Sequence, residues 1–170
     1  MSRKVFALAR TIVVATLFLA LWLWVLPRMV VGPDAYADSR AAGWIVLLIG
    51  LTIASWCAFE FAWRGFGTPA PFDPPRRLVI SGPYRFVRNP MYVGGAIAVI
   101  GEAIAFPRLQ TFMLYMLVAM WVATTLFIVI YEEPTLRRLF GDDYARYCRN
   151  VHRWLPRLKP FDNAPTAALH

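Results

Sequence analysis

The sequence has two histidines, His152 and His170, and two cysteines, Cys57 and Cys148. That leaves little material for a metal centre or a histidine-based catalytic triad. Cys57 lies in an apolar block and Cys148 in a charged tail, so neither a disulfide framework nor metal-ligand spacing is visible and both read as ordinary thiols. Charge is also scarce. Only 16% of the 170 residues are charged against 59% hydrophobic, which is more apolar than soluble domains usually are. The net charge of +8 does not argue for nucleic acid, because the basic residues fall between apolar blocks, where they suit anionic headgroups.

The apolar residues form blocks, and a block must reach ~20 residues to cross a bilayer as a helix. The expected fold is a single all-α integral membrane domain over 1–170, with four transmembrane helices at about 5–26, 41–63, 91–106 and 111–131. A loop covers 64–90 and a tail 132–170. The first run follows Arg3, Lys4 and Arg10, lacks a small-residue cleavage site, carries Trp22 and Trp24 near its far end, and is expected to stop at Pro27. The third run is short for a span and pairs with the fourth as a hairpin through a turn at 107–110.

Sorting Lys and Arg by side gives the orientation. Three lie before the first span, five in the middle loop (Arg64, Arg76, Arg77, Arg85, Arg88) and seven in the tail, against Arg28, Arg40 and Arg108 on the other side. Both termini are therefore expected in the cytoplasm. In the tail Asp142 can cap an interfacial helix with Tyr144, Tyr147, Val151 and Trp154 on one face and Arg146, Arg149 and Arg153 towards the other. No internal repeat is visible.

Two segments bring charge and permissive backbone to the cytoplasmic edge: Gly82-Pro-Tyr-Arg-Phe-Val-Arg-Asn-Pro-Met-Tyr-Val-Gly-Gly95 and Tyr131-Glu-Glu-Pro-Thr-Leu136. One leads into the third span and the other leaves the fourth, so the hairpin sets them side by side. Glu132 and Glu133 read either as a solvated helix start at Pro134 or as acceptors for ribose hydroxyls or an ammonium group. Arg85 and Arg88 read as headgroup anchors or as partners for a carboxylate. The stripe Gly94, Ala98, Gly101, Ala105 suits close helix packing, and Gly94 with Gly95 alternatively leaves room for a flat ligand. Glu60 and Glu102 are acids within spans; Glu60 is placed to pair with Arg64 four residues on. Trp22, Trp24, Trp44, Trp63 and Trp154 suit an interfacial belt.

Between about Gly65 and Leu158 the chain resembles the isoprenylcysteine carboxyl methyltransferase and phospholipid methyltransferase superfamily of integral membrane enzymes. The residues that carry the resemblance are Gly67-Thr-Pro-Ala-Pro71, Leu78 to Gly82, Arg88-Asn-Pro-Met-Tyr92 with Gly94, Glu132-Glu133 followed by Leu136, and Phe140-Gly141 followed by Tyr144 and Tyr147. It implies S-adenosylmethionine bound between the last spans and the C-terminal segment, with a lipophilic substrate entering from the bilayer. Carried over, it puts Arg88, Asn89, Pro90, Tyr92 and Gly94 on the first cofactor motif and Glu132 and Glu133 on the second, with Tyr144 and Tyr147 covering the pocket. Arg85, Arg88 and Glu132 are the implied catalytic candidates. Asn89 stands where the isoprenylcysteine enzymes have histidine; it cannot titrate near neutral pH, which excludes a general-base role there. The implied acceptors are an isoprenylcysteine-like carboxylate or a phospholipid amine, with a small lipophilic thiol as a third. The competing classes are a sterol-reductase-like enzyme using NADPH, which would be much longer, and a non-catalytic lipid-binding membrane protein, which has no need of the paired glutamates.

Overall fold

The computed structural model describes Ala9, Val13, Thr16, Leu17 and residues 20–65 and 77–162. Half of the expected first span, the Gly67–Pro71 motif and the last eight residues lie outside the described residues. Among the described residues every regular element is helical. A π turn Leu21–Val25 runs into α1 (Leu26–Val31). Helix α2 (Ala41–Glu60) continues through a π turn Phe61–Gly65. Helix α3 (Pro90–Ala105) is joined by a tight turn Pro107–Leu109 to α4 (Gln110–Phe127). A further π turn, Ile128–Glu132, connects α4 without a break to α5 (Glu133–Asn150).

Two helices are long and apolar enough to cross a membrane, Ala41–Arg64 and Pro107–Asn150; Leu21–Val31 and Pro90–Ala105 are shorter apolar helices. The second long helix has 44 residues. The part of it that precedes a bend at Gly141 is about 50 Å long at 1.5 Å per residue, well beyond the ~30 Å hydrocarbon thickness. It must therefore leave the bilayer, and Glu132 is the first charge after the uncharged stretch that begins at Leu109. Large apolar side chains face outward along both long helices, among them Ile45, Leu48, Ile49, Leu114, Val118, Val122 and Ile130. An exterior of this kind matches lipid and not water.

Helices α2 and α3 lie antiparallel and nearly touch. A Cβ on Gly43 would stand 2.0 Å from the Ala105 nitrogen, one on Gly101 2.2 Å from the Leu47 nitrogen, and one on Gly50 2.3 Å from the Ala98 nitrogen. The small-residue stripe on α3 is thus a packing seam. Without a hydrophobic force between helices in lipid, such backbone approach and the dispersion contacts it allows hold the pair together. Helices α3 and α4 meet at the opposite end from Pro90, where Val99, Ala105, Phe106, Leu109, Met113 and Met116 form one buried cluster with Ala35.

Pro27 does not end the first helix as expected; α1 runs on to Val31. Proline has no N–H to give the carbonyl four residues back, which here is Leu23. The Tyr36 hydroxyl donates to that carbonyl at 2.6 Å and so replaces the missing bond. Tyr36 also lies 3.2 Å from Oε1 of Glu102, which is 2% exposed. Tyr36→Phe is expected to cost about 1–2 kcal/mol by orphaning the Leu23 carbonyl. A lowered thermal midpoint with unchanged membrane insertion would check this.

The tail also departs from expectation. Gly141 takes φ +48, a left-handed conformation that favours glycine, and the chain bends so that a second helical segment follows from Asp142. That segment stops at Asn150, so Val151 and Trp154 are not on its face. Residues 151–162 form an irregular strap that returns along the segment 84–89.

Candidate active site at the Pro90 end of the helices

The approach to α3 is held from below by α2. Glu60 accepts from Arg64 at 2.7 Å, the i, i+4 pair expected, and from the Ser81 hydroxyl. Gly82 at φ +53 passes so close that a Cβ would meet Trp56 at 3.1 Å and Glu60 at 3.2 Å. The turn Gly82–Arg85 follows, with Tyr84 buried beneath it.

The strap then closes over this turn with backbone hydrogen bonds. Arg88 N–H donates to the His152 carbonyl, Arg157 N–H to Phe86 and Phe161 N–H to Arg85, each at 2.9 Å. Side chains repeat the pattern. Asn89 Nδ2 donates to the Arg153 carbonyl at 3.2 Å, and Arg85 Nε donates to the Phe161 carbonyl at 2.9 Å while its guanidinium pairs with Asp162. Tyr147, buried on α5, donates its hydroxyl to the Tyr84 carbonyl at 2.6 Å. Tyr144, Tyr147 and Val151 pack with Leu78, Ile80, Leu136 and Phe140 into a cluster that supports both. Burial pushes the phenols of Tyr144 and Tyr147 well above their ordinary range, so both stay neutral.

The two glutamates, adjacent in sequence, have different surroundings because successive helical residues point about 100° apart. Glu133 is buried within an arginine clamp. Its Oε1 accepts from Arg88 Nη1 at 3.0 Å and Arg153 Nε at 2.9 Å, and its Oε2 from Arg153 Nη2 at 3.0 Å. This partner raises the Arg153 pKa further. Among the described residues Glu132 has no ion pair of this kind. The Tyr92 hydroxyl reaches its Oε2 at 3.4 Å, a long contact. Burial pushes the Glu132 carboxyl up to about 7, the Tyr92 hydrogen bond opposes the rise, and the neighbouring Glu133 charge adds to it.

On α3, Gly95 is three positions from Tyr92 and shares its face; a Cβ there would meet nothing within 4 Å. Gly94 instead faces α2, where a Cβ would stand 2.8 Å from the Ala54 nitrogen. The open space beside the helix start therefore belongs to Gly95. Pro90 is buried at the first position of α3, where its missing N–H costs nothing.

The structure thus gathers Arg88, Asn89, Tyr92, Glu132, Glu133, Tyr144 and Tyr147 at one end of the helices, as the hairpin reading requires. It does not leave Arg85 available, since its guanidinium is committed to the strap. Two residues outside the sequence-based set join the cluster: Arg153, which clamps Glu133, and Cys148, whose sulfur accepts from Arg88 Nη1 at 3.0 Å. The sequence pattern puts Arg153 on the polar face of a continuing helix. No glycine or proline lies between Asn150 and Arg153 to signal that the helix stops first.

A model of the phospholipid methyltransferase family matches residues 39–143. The probable protein-S-isoprenylcysteine O-methyltransferases of Oryza sativa subsp. indica and subsp. japonica are each 32% identical over 85 residues, 50% of this chain and 44% of theirs. The match thus covers less than half the length of these two relatives. The nickel-cobalt-cadmium resistance protein NccN of Alcaligenes xylosoxydans xylosoxydans is 26% identical over 152 residues, 86% of this chain and 66% of its own. No solved structure matches the chain.

Proposed function

Starting from a chain that belongs to the phospholipid methyltransferase family, we propose that it moves a methyl group from S-adenosylmethionine to a lipophilic acceptor at the cytoplasmic surface of a membrane. The arrangement that carries this reading is a half-buried carboxylate, Glu132, held against Tyr92 beside the open space at Gly95. The chain crosses the bilayer four times with both termini inside, a topology supported by the charge bias and by the bend of the last helix after its apolar stretch.

The donor set suits this cofactor. A sulfonium with an attached amino acid and ribose asks for a carboxylate, hydrogen-bonding groups and flat space, and Glu132, Tyr92 and Gly95 supply them. Among the described residues Arg88 Nε is buried with no partner, and it adds a donor for the carboxylate of the cofactor. Asn89, Pro90, Glu133, Tyr144 and Tyr147 fix the frame around these groups, and Gly94 lets α3 approach α2 closely enough to carry it. S-adenosylmethionine brings its own activated leaving group, so the protein's work is alignment and exclusion of water. The strap over residues 84–89 performs the second task.

Two acceptors follow from different observations. The names of the rice relatives point to an isoprenylcysteine-type carboxylate, which is ionised at neutral pH and needs only orientation. The side chains favour an amine. Arg85 and Arg88 are already paired, whereas a carboxyl with its pKa near 7 is matched to removing a proton from an ammonium group.

S-adenosylmethionine or its demethylated product is expected to raise the thermal midpoint of the purified protein in detergent, and NADPH to leave it unchanged. A midpoint insensitive to all three would remove the cofactor assignment, and a response to NADPH alone would point to a reductase. Methyl transfer from labelled cofactor into a panel of lipid carboxylates and lipid amines then distinguishes the acceptors.

A further inference from the structure

The strap 151–162 has two sides of different chemistry. Towards the turn it uses its backbone: the N–H groups of Arg157 and Phe161 donate to the carbonyls of Phe86 and Arg85. Pro156 and Pro160 have no N–H at all. Most of the backbone donors between 156 and 161 therefore need no water. Away from the turn stand Leu155, 72% exposed, and Leu158, fully exposed, with Phe86 partly exposed at the joint to Arg157. A segment with satisfied backbone and outward leucines suits an apolar boundary, where an unpaired N–H is costly and a leucine is not.

Trp154 sets the depth of the strap. Its ring meets that of Trp121, centroid to centroid 4.3 Å. Trp121 lies eleven residues before Glu132, about 16 Å along the helix, within the uncharged stretch of α4, and is itself exposed on the outer surface. The strap thus leaves the Arg153–Glu133 pair, touches α4 at the level of its apolar exterior, and returns to Arg85 at Phe161. Leu155 follows that contact directly and continues the same apolar surface. The charge beside it has one sign. Arg157 and the exposed Lys159 flank Leu158, and the strap's one acid, Asp162, is paired with Arg85.

We infer that this edge of the strap docks into the anionic leaflet of the membrane that the helices cross, and that docking holds the strap shut over residues 84–89. Leu155 and Leu158 enter the boundary of the hydrocarbon while Arg157 and Lys159 meet the phosphates. The interfacial role expected of the C-terminal helix falls to this segment. The bonds to Phe86 and Arg85 fix the leucines and the cations along one edge, so the closed strap makes more contact with the leaflet than an open one, and the leaflet shifts the population towards closure. The inference needs the membrane and not the methyl donor, so it stands or falls apart from the function proposed above.

The test is hydrogen exchange of the full chain in nanodiscs of phosphatidylcholine, alone or mixed with phosphatidylglycerol. The amides of Arg88, Arg157 and Phe161 report closure directly, because each is hydrogen-bonded across the closed strap. The amides of Arg40 and Gly43, at the other end of the helices, respond to the surface potential alone. Relative to these, the strap amides are expected to exchange about tenfold more slowly in the anionic discs, since each basic side chain held at such a surface is worth about fivefold. Leu155→Asp/Leu158→Asp should abolish the difference while leaving the thermal midpoint in detergent unchanged, because both side chains are exposed. Lys159→Gln should reduce it about fivefold, and serves if the two aspartates disturb folding. Strap amides that slow no more than those of Arg40 and Gly43 overturn the inference, as does wild-type protection kept in either variant. Protection that grows with the number of chains per disc and not with lipid charge also overturns it, because the edge would then meet a second copy.

Discussion

Glu133→Ala is expected to lower the thermal midpoint of the protein by roughly 10 °C while leaving it inserted in the membrane. The carboxylate is the shared partner of Arg88 on the approach to α3 and Arg153 on the strap. Removing one member of a buried ion pair typically costs ~3–5 kcal/mol, because the remaining charge keeps its desolvation penalty without compensation. For a chain of this length ~1 kcal/mol moves the midpoint by about 2–4 °C. Arg88 is the more buried arginine and carries most of the penalty; Arg153 can turn towards water. Arg153→Ala should therefore cost less than Glu133→Ala, and the double variant Glu133→Ala/Arg153→Ala little more than Glu133→Ala alone. Thermal melts of the three variants in one detergent provide the check. Additive costs would show that the two residues do not act as a pair.

The second large effect concerns Glu132. Glu132→Ala should weaken S-adenosylmethionine binding about 10- to 100-fold, the scale of a charge-assisted hydrogen bond worth ~1.5–3 kcal/mol. Tyr92→Ala should weaken it less, because its 3.4 Å contact positions the carboxylate without carrying charge. The pH dependence distinguishes this role from simple packing. With its pKa raised to about 7, Glu132 is largely neutral below pH 7 and ionised above it. A cationic ligand favours the ionised form, so binding releases a proton and affinity falls as pH drops through about 7, by up to about tenfold per unit. Above that range affinity is flat. Glu132→Gln should bind weakly with no such slope, readable by calorimetry at several pH values. A wild-type slope retained in the glutamine variant would assign the titration to another group.

The helices were legible in the sequence wherever composition alone determines them. The runs 41–63 and 91–106 coincide with α2 and α3 to within three residues, because an apolar block bounded by arginines and prolines leaves few choices. The small-residue stripe on α3 was readable as a seam for the same reason, since four small side chains at helical spacing let a neighbouring backbone approach. Irregular partners were not legible. Pro27 marks a stop by its own chemistry, and only the fold brings Tyr36 to repair the carbonyl it leaves. Arg85 and Arg88 look equivalent in the sequence, yet one is tied to the strap and the other to Glu133, because the strap's path depends on where α5 ends. The distinction between Glu132 and Glu133 likewise needs the direction of each side chain, which two consecutive identical residues cannot reveal. The convergence of the two motifs was predictable from the hairpin, whereas the third participant, residues 151–162, came from outside it.

The strap that joins Phe86 to Arg157 and Arg85 to Phe161 also bears on biosynthesis. A ribosome delivers residues 84–89 well before 151–161, so during synthesis the turn exists for some seventy residues without the carbonyls and N–H groups that complete it. On the function proposed above, helices α2 and α3 can enter the bilayer and lock along their glycine seam in that interval, while the site at the Pro90 end stays open to water until the strap emerges and folds back. The nascent protein is then expected to be inert until residues 151–161 close over a turn made much earlier.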